Sequence, residues 1–282
     1  MGNMTIKDIA RISGCSVSTI SRVINDRPDV RPETKERVLE VMREAGFVPN
    51  TNARQLKIQQ SRSLVFGVKG TRNIFFSDFP VQLQRAATLY GYNGIVSYLD
   101  ENANEIDAAE KVLREIKPKG MIFLGGSVAN FQKGFANISV PSVLATLVSD
   151  ELDFPNLSMV GVDDRAAAYQ AVSYLIQQGH RKIAGLGGPA TSHPSMMRRQ
   201  GAQQAMEDAG IRFEDKLYGL SNYDFESAYH AMNGLLARRA EFTALFAMSD
   251  VIAFGAIRAL VSAGLRVPED VSVIGFDGIT MS

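Results

Sequence analysis

"TIKDIARISGCSVSTISRVIN", residues 5–25, is the stretch on which the reading of this chain turns. Thr5 can cap a helix, with Asp8 near the positive end of its dipole. Ile6, Ile9 and Ala10 then fall at i, i+3 and i+4, the spacing of one buried stripe. Gly14 interrupts the pattern. Ser16 can cap a second helix seated by Ile20, Val23 and Ile24, which leaves Val17, Ser18, Thr19, Ser21, Arg22 and Asn25 at its ends or on its outward face. After a turn at "DRPDV", Pro32 suits the first position of a third helix, packed through Val38, Val41, Met42 and Ala45 and stopped by Gly46. A small residue at the crossing and a glycine in the tight turn predict a helix-turn-helix. A plain three-helix bundle accounts equally well for the apolar stripes, but not for a second helix so rich in short hydroxyl side chains outside. Ser, Thr and Asn reach phosphates and base edges at close range, and Arg22 can pair bidentately with guanine.

Together with "VRPETKERVLEVMREAGFVPNTNARQL", residues 30–56, this stretch resembles the N-terminal domain of the LacI/GalR bacterial transcription regulators over that domain's whole length. The resemblance implies that Val17, Ser18 and Arg22 read bases while Thr5, Ser16, Thr19, Ser21 and Asn25 hold the phosphate backbone. Val17 and Ser18 suit a thymine methyl and one short hydrogen bond, so Arg22 becomes the main discriminator. Residues 49–62 read by composition as a polar linker, too weakly apolar for a stable free helix, although Asn50 could cap and Ala53 and Leu56 are three apart. In the family this segment is a hinge helix ordered on DNA. Leu56 matches the leucine that wedges into the minor groove, and Ala53 the small residue where two hinges meet; the unstacking costs ~a few kcal/mol that a bent complex returns. Two hinges require two copies, hence a homodimer on a pseudo-palindromic double-stranded DNA operator.

From Ser63 onward short apolar runs alternate with helical periods. "SLVFGV", "YNGIVSYL", "GMIFLGG" and "PSVLATL" are strand-like and are separated by helical stretches; "MVGVDD", "KIAGLGG", "DKLYGL", "ALFAMS" and "VSVIGFD" repeat the alternation. The expected architecture is a small all-α head and an α/β bilobed body with parallel sheets, its ligand in the cleft between lobes. Expected boundaries are 1–48 for the head, 49–62 for the hinge, and 63–160 and 161–282 for the lobes.

Composition narrows the function classes. The chain of 282 residues is 45% apolar, enough for two or three cores, and carries 30 basic and 30 acidic residues. Residues 1–60 hold ten Lys/Arg against seven Asp/Glu, a weak sign of a nucleic-acid-binding head. No run reaches the ~18 apolar residues of a membrane span, and "MGNMTIKDIAR" lacks an apolar secretory segment, so a cytoplasmic protein without a membrane partner is expected. Met-Gly at the start resembles a myristoylation signal, but Ile6 stands where Ser or Thr is needed. A single cysteine, Cys15, excludes an intramolecular disulfide and a cysteine-cluster metal site; it suits a small buried position. "GLGGPA", residues 185–190, only loosely matches a dinucleotide fingerprint, and Pro189 argues against it. His180 reads as a helix-end residue, His230 as helical and His193 as a loop residue without metal partners, while Asp163 and Asp164 read as a helix cap. No catalytic set, metal or cofactor is therefore expected.

The body also resembles the family's effector-binding core, which is related in fold to periplasmic sugar-binding proteins. The resemblance implies effector contacts from Arg198 and Asp250, from the aromatic pair Phe75 and Phe76, from Tyr223, and from Ser192 and His193 in a loop. Each has a plainer alternative: Arg198 can pair with a neighbouring carboxylate, Asp250 can cap its helix, and the aromatics can be core. An Arg and an Asp facing an aromatic suit the vicinal hydroxyls and apolar face of a sugar, and a nucleobase fits nearly as well. A repressor governed by such an effector is the resulting expectation; its rivals are a sugar receptor without a DNA role and an α/β enzyme. Family members continue beyond "VSVIGFDGITMS", so the resemblance presents this sequence either as a fragment or as a truncated product whose lobe keeps an open sheet edge.

Overall fold

A computed structural model describes residues 4–24, 27–47, 62–70, 73–239 and 241–281. The chain divides into two compact units, residues 1–59 and 60–282. The linker read at 49–62 lies outside the described residues except for Arg62, as do Asn25, Asn50, Ala53 and Leu56.

In the first unit, helix α1 (Ile6–Ser13) starts at a reciprocal cap. The Thr5 backbone N–H donates to Asp8 Oδ2 at 3.0 Å, and the Asp8 N–H to Thr5 Oγ1 at 3.4 Å. The bonds that the Thr5 hydroxyl and then the Thr5 N–H donate to the Asp8 carboxyl hold it below its usual range. Gly14 adopts φ 65°, which other residues rarely tolerate, and its N–H closes the helix on the Ala10 carbonyl. Helix α2 (Val17–Ile24) and helix α3 (Pro32–Glu44) complete a core of Ile9, Ala10, Ile20, Val23, Val38 and Met42. Cys15 is half-buried beside that core, and Arg37 donates to its sulfur at 3.4 Å.

The second unit holds two parallel sheets. Strands β1 (Ser63–Lys69), β2 (Asn93–Leu99), β3 (Gly120–Leu124), β4 (Ser142–Ala145) and β5 (Leu157–Val160) run in the order β2-β1-β3-β4-β5. Strands β6 (Ile183–Gly187), β7 (Tyr218–Leu220), β8 (Ala244–Ala247) and β9 (Ser272–Ile274) run in the order β7-β6-β8-β9. Each inner strand is a short apolar run because helices cover both faces of a parallel sheet; β8, Ala-Leu-Phe-Ala, is buried throughout. The first lobe is filled by Phe123, Phe131, Phe135 and Phe154, with the rings of Phe131 and Phe135 stacked at 5.2 Å. In "DKLYGL" only Tyr218–Leu220 is strand; Asp215–Leu217 forms a 3-10 turn.

Helix α4 (Asp164–Gln177) and helix α5 (His193–Asp208) touch backbone to backbone at Gly201, where a methyl group would overlap the Arg165 carbonyl. Backbone cannot yield as a side chain does, so Gly201→Ala is expected to cost about 1–3 kcal/mol and to lower Tm by several degrees in a thermal melt. Helix α5 begins two residues before the periodic pattern in the sequence. Ser192 occupies the N-cap and Pro194 the first turn, so His193 is the first helical residue, not a loop residue.

Candidate nucleic-acid interface and ligand cleft

Helix α2 is short, and its start is built by hydroxyls. Ser16 Oγ accepts the Thr19 N–H at 3.1 Å and lies 2.7 Å from Ser18 Oγ and 2.9 Å from Thr19 Oγ1. With Ile20 and Val23 buried, Val17, Ser18 and Arg22 are left exposed, while Thr19 and Ser21 are half-buried. Ser18, Ser21 and Arg22 line one groove with Arg27, Pro28 and Asp29. The last three carried no functional reading in the sequence, where "DRPDV" was visible only as a turn. Thr5 stands at the start of the other helix, its hydroxyl donating to Asp8 Oδ2 at 2.6 Å.

In the second unit a cleft of about 270 Å³ opens at the carboxyl ends of the strands of both sheets. The first lobe supplies Lys69 at the end of β1, Phe75 and Phe76 in a 3-10 turn capped by Asn73, Glu101 after β2, Ser127 after β3 and Thr146 after β4. The second supplies Ser192, Arg198, Tyr223 and Asp277. Three of the five non-glycine residues with positive φ among the described residues line this cleft: Thr146 (73°), Tyr223 (55°) and Asp277 (107°). Such strained backbone is kept where geometry matters more than local stability.

Arg198 is the anchor of the second wall. Its Nε donates to Asp164 Oδ1 at 2.8 Å, its Nη1 donates to the Met248 carbonyl at 2.5 Å and lies 3.5 Å from Asp277 Oδ1, and its guanidinium stacks 3.7 Å from the centre of the Phe276 ring. Arg198 thus makes the ion pair expected of the plainer alternative, and the same guanidinium faces the cleft. Asp163 caps α4, accepting the Ala166 N–H at 2.9 Å, whereas Asp164 turns to Arg198. Asp250 does not line the cleft; it is 5% exposed, starts its helix and accepts the Ile279 N–H at 2.8 Å. The carboxylate at the wall is Asp277. His193 likewise stays off the wall, while Ser192, Phe75, Phe76 and Tyr223 are on it. The Tyr223 hydroxyl is buried and meets no hydrogen-bond partner among the described residues. Its ring fills the space that a side chain at Gly188 would need, so "GLGGPA" packs an aromatic where a dinucleotide fold would seat a pyrophosphate.

The first wall contains a group that sequence reading missed. Glu105, 1% exposed, accepts from Lys69 Nζ at 2.8 Å, from the Ser127 N–H at 2.6 Å and from Asn130 Nδ2 at 3.1 Å. A fully partnered carboxylate fixes the lysine head at the cleft. Burial pushes the Glu101 carboxyl up, with Lys69 opposing and Asp224 adding to the rise. Among the described residues no group of three His, Cys, Asp or Glu side chains could hold a metal ion, and no helix is long and apolar enough to cross a membrane.

Burial pushes Asp277 up to about 7 from 3.8; Arg198 opposes the rise, and Asp250 and Asp164 add to it. The folded protein therefore binds a proton there that the unfolded chain has already lost, so stability falls as pH rises from about 4 through about 7. Asp277→Asn is expected to lack this loss. In melts across that range its Tm should draw level with the native protein's and then pass it by a few degrees above pH ~7; parallel curves would refute the assignment.

A family model described as bacterial regulatory proteins, lacI family, matches residues 5–50, and one described as periplasmic binding protein-like domain matches residues 172–282. The chain is 37% identical over 282 residues to the HTH-type transcriptional regulator MalR of Clostridium butyricum, covering 99% of this chain and 84% of the relative. The chain belongs to the lacI family of bacterial regulatory proteins. Among solved structures of the same architecture, the transcriptional regulator CelR–cellobiose complex superposes with TM-score 0.68 at 27% identity, over 98% of this chain and 84% of the other. The lac repressor dimer bound to operator and the anti-inducer ONPF superposes with TM-score 0.71 at 24% identity, over 99% and 84%, a likeness of fold. As a lacI-family member this protein is a transcriptional regulator with a helix-turn-helix head and a two-lobed α/β body.

Proposed function

We propose that this lacI-family regulator is a sequence-specific repressor. It binds a pseudo-palindromic double-stranded DNA operator as a homodimer in the bacterial cytoplasm and is controlled by a sugar in the interlobe cleft. The head extends over 1–48 and the hinge over 49–62, and lobes of 63–160 and 161–282 enclose the effector. Val17, Ser18 and Arg22 read bases, while Thr5, Ser16, Thr19, Ser21 and Asn25 hold phosphates. Asn50, Ala53 and Leu56 form the hinge that meets its copy in the minor groove. The observation that carries the effector assignment is the cleft itself. A fixed guanidinium, a fixed ammonium and carboxylates stand on two walls with Phe75, Phe76 and Tyr223 between them, a set that pairs with vicinal hydroxyls and stacks on the apolar face of a sugar ring. The cellobiose bound by CelR supports the same class of ligand. The protein acts by binding and does not turn its ligand over.

Ligand closing the two lobes changes the spacing of the hinges and hence operator affinity; a coupling of ~1–3 kcal/mol, roughly 5–150-fold, is ordinary and must be reciprocal. The test first finds sugars that raise Tm and duplexes selected from a randomised pool. It then measures duplex affinity by gel shift with and without each sugar. A several-fold change with at least one sugar is expected. Unchanged affinity with every sugar that binds would overturn the mechanism, and a sugar recovered altered after incubation would overturn the non-enzymatic reading.

A further inference from the structure

Arg22 does not project from helix α2 alone. Its Nη1 lies 3.6 Å from Asp29 Oδ2, and both side chains remain more than half exposed, at 59% and 57%. The loop that carries Asp29 is tied back to the same turn of helix: the Arg27 N–H donates to the Arg22 carbonyl at 3.0 Å. Pro28 restricts the backbone just before Asp29, and Val30 just after it packs on the head core. The backbone that carries Asp29 is therefore anchored on both sides, and its carboxylate lines the groove shared with Ser18, Ser21 and Arg22.

An exposed ion pair adds little to stability, no more than ~1 kcal/mol, so its presence in a DNA-facing groove calls for another explanation. A carboxylate is repelled by phosphates and lowers general affinity for DNA. What it can add is direction. A guanidinium drawn at one Nη towards a carboxylate on anchored backbone loses rotational freedom and favours one orientation of its planar N–H fork, the arrangement that guanine O6 and N7 accept from. The carboxylate, an acceptor only, also disfavours bases that place another acceptor against it and tolerates the N4 amino donor of cytosine.

We propose that Asp29 is a positioning residue for base reading. Asp29 and Arg22 act as one unit that selects a G·C pair, with Arg22 on the guanine and Asp29 aiming it. This rests on the reading of Arg22 as a base-contacting residue. In the test, the full chain and the variants Asp29→Ala, Asp29→Asn and Arg22→Ala are each bound to a pool of randomised duplexes. The bound fractions are sequenced, and affinities are then measured on the selected duplex and on the same duplex with the G·C pair replaced. Arg22→Ala is expected to abolish the G·C preference at one position of each half-site. Asp29→Ala should weaken the preference at that same position by about tenfold and leave the other positions unchanged, while affinity for random duplexes rises. Asp29→Asn, which keeps an acceptor without the charge, should share the rise in affinity but retain most of the preference.

Tighter binding of all duplexes by Asp29→Ala with an unchanged preference would show that Asp29 contributes only charge, and would overturn the proposal. If Arg22→Ala alters no positional preference, the base-reading role of Arg22 itself falls, an outcome visible without the Asp29 variants. Equal melting temperatures of the variants exclude loss of the fold as the cause.

Discussion

Arg198→Ala is expected to lower the stability of the body by about 3–5 kcal/mol and to weaken sugar binding by about a hundredfold. The guanidinium is 11% exposed and stands between Asp164 and Asp277, at 7% and 6%. Removing it leaves two buried carboxyls and the Met248 carbonyl without their donor, together with the Phe276 ring that it covers. The penalty depends on pH in a defined direction. Both carboxyls are already pushed up by burial, and Arg198 opposes that rise for each. Without it they rise further, so protonation relieves the variant at low pH, and the stability gap should widen from pH ~5 to pH ~8. Arg198→Lys should rescue little, because an ammonium has neither the planar fork that serves three partners nor the flat face that stacks on Phe276. Melts at the two pH values and sugar titrations of the folded variants check both parts. Normal sugar affinity in Arg198→Ala would remove this residue from the ligand site.

Ile20→Ala is expected to abolish DNA binding while sugar binding by the body persists. Ile20 is fully buried and, among the described residues, joins five other buried side chains in the core of the head. Truncating an aliphatic to Ala in such a core costs about 2–5 kcal/mol, as much as a domain this small commonly has in total. The helix that carries Val17, Ser18 and Arg22 is seated on this core through Ile20 and Val23, with Ile24 packed beside them. Loss of duplex binding in a gel shift, together with an unchanged body transition and unchanged sugar titration, is the expected pattern. Retained duplex affinity would mean that the head tolerates the cavity, and that the small core described above understates its stability.

Local chemistry made much of this protein readable before any coordinates. The Thr5 and Asp8 cap, the Gly14 turn, the Ser16 start and the Pro32 start involve residues within a few positions of one another, so the chain itself supplies both partners. Alternation of apolar runs with helical periods likewise announces parallel sheets, since a strand covered on both faces has to be apolar throughout. The second wall was approached from sequence through Arg198, Tyr223 and Ser192. The sequence points to Asp250, whereas the structure sets Asp277, in the "GFD" that follows the last described strand, at the cleft wall. The apolar period starts only after Pro194, which leaves His193 reading as a loop residue, whereas a proline in the first turn is where a helix can begin.

Long-range pairing lies beyond that kind of reading. Lys69 and Glu105 are 36 positions apart, and Arg198 and Asp164 are 34. Nothing in the spacing of either pair says that they meet, because the register of the parallel strands and the packing of the helices above them bring them together. Even Arg22 and Asp29, seven positions apart, needed the fold-back of the loop through the Arg27 N–H to become neighbours. Periodicity, capping and turn chemistry were therefore sufficient for the class of fold and for the helix that faces DNA. Which charges neutralise one another, and which stand at the cleft wall, was decided by tertiary packing, since the energy of an ion pair depends on separation in space and on burial.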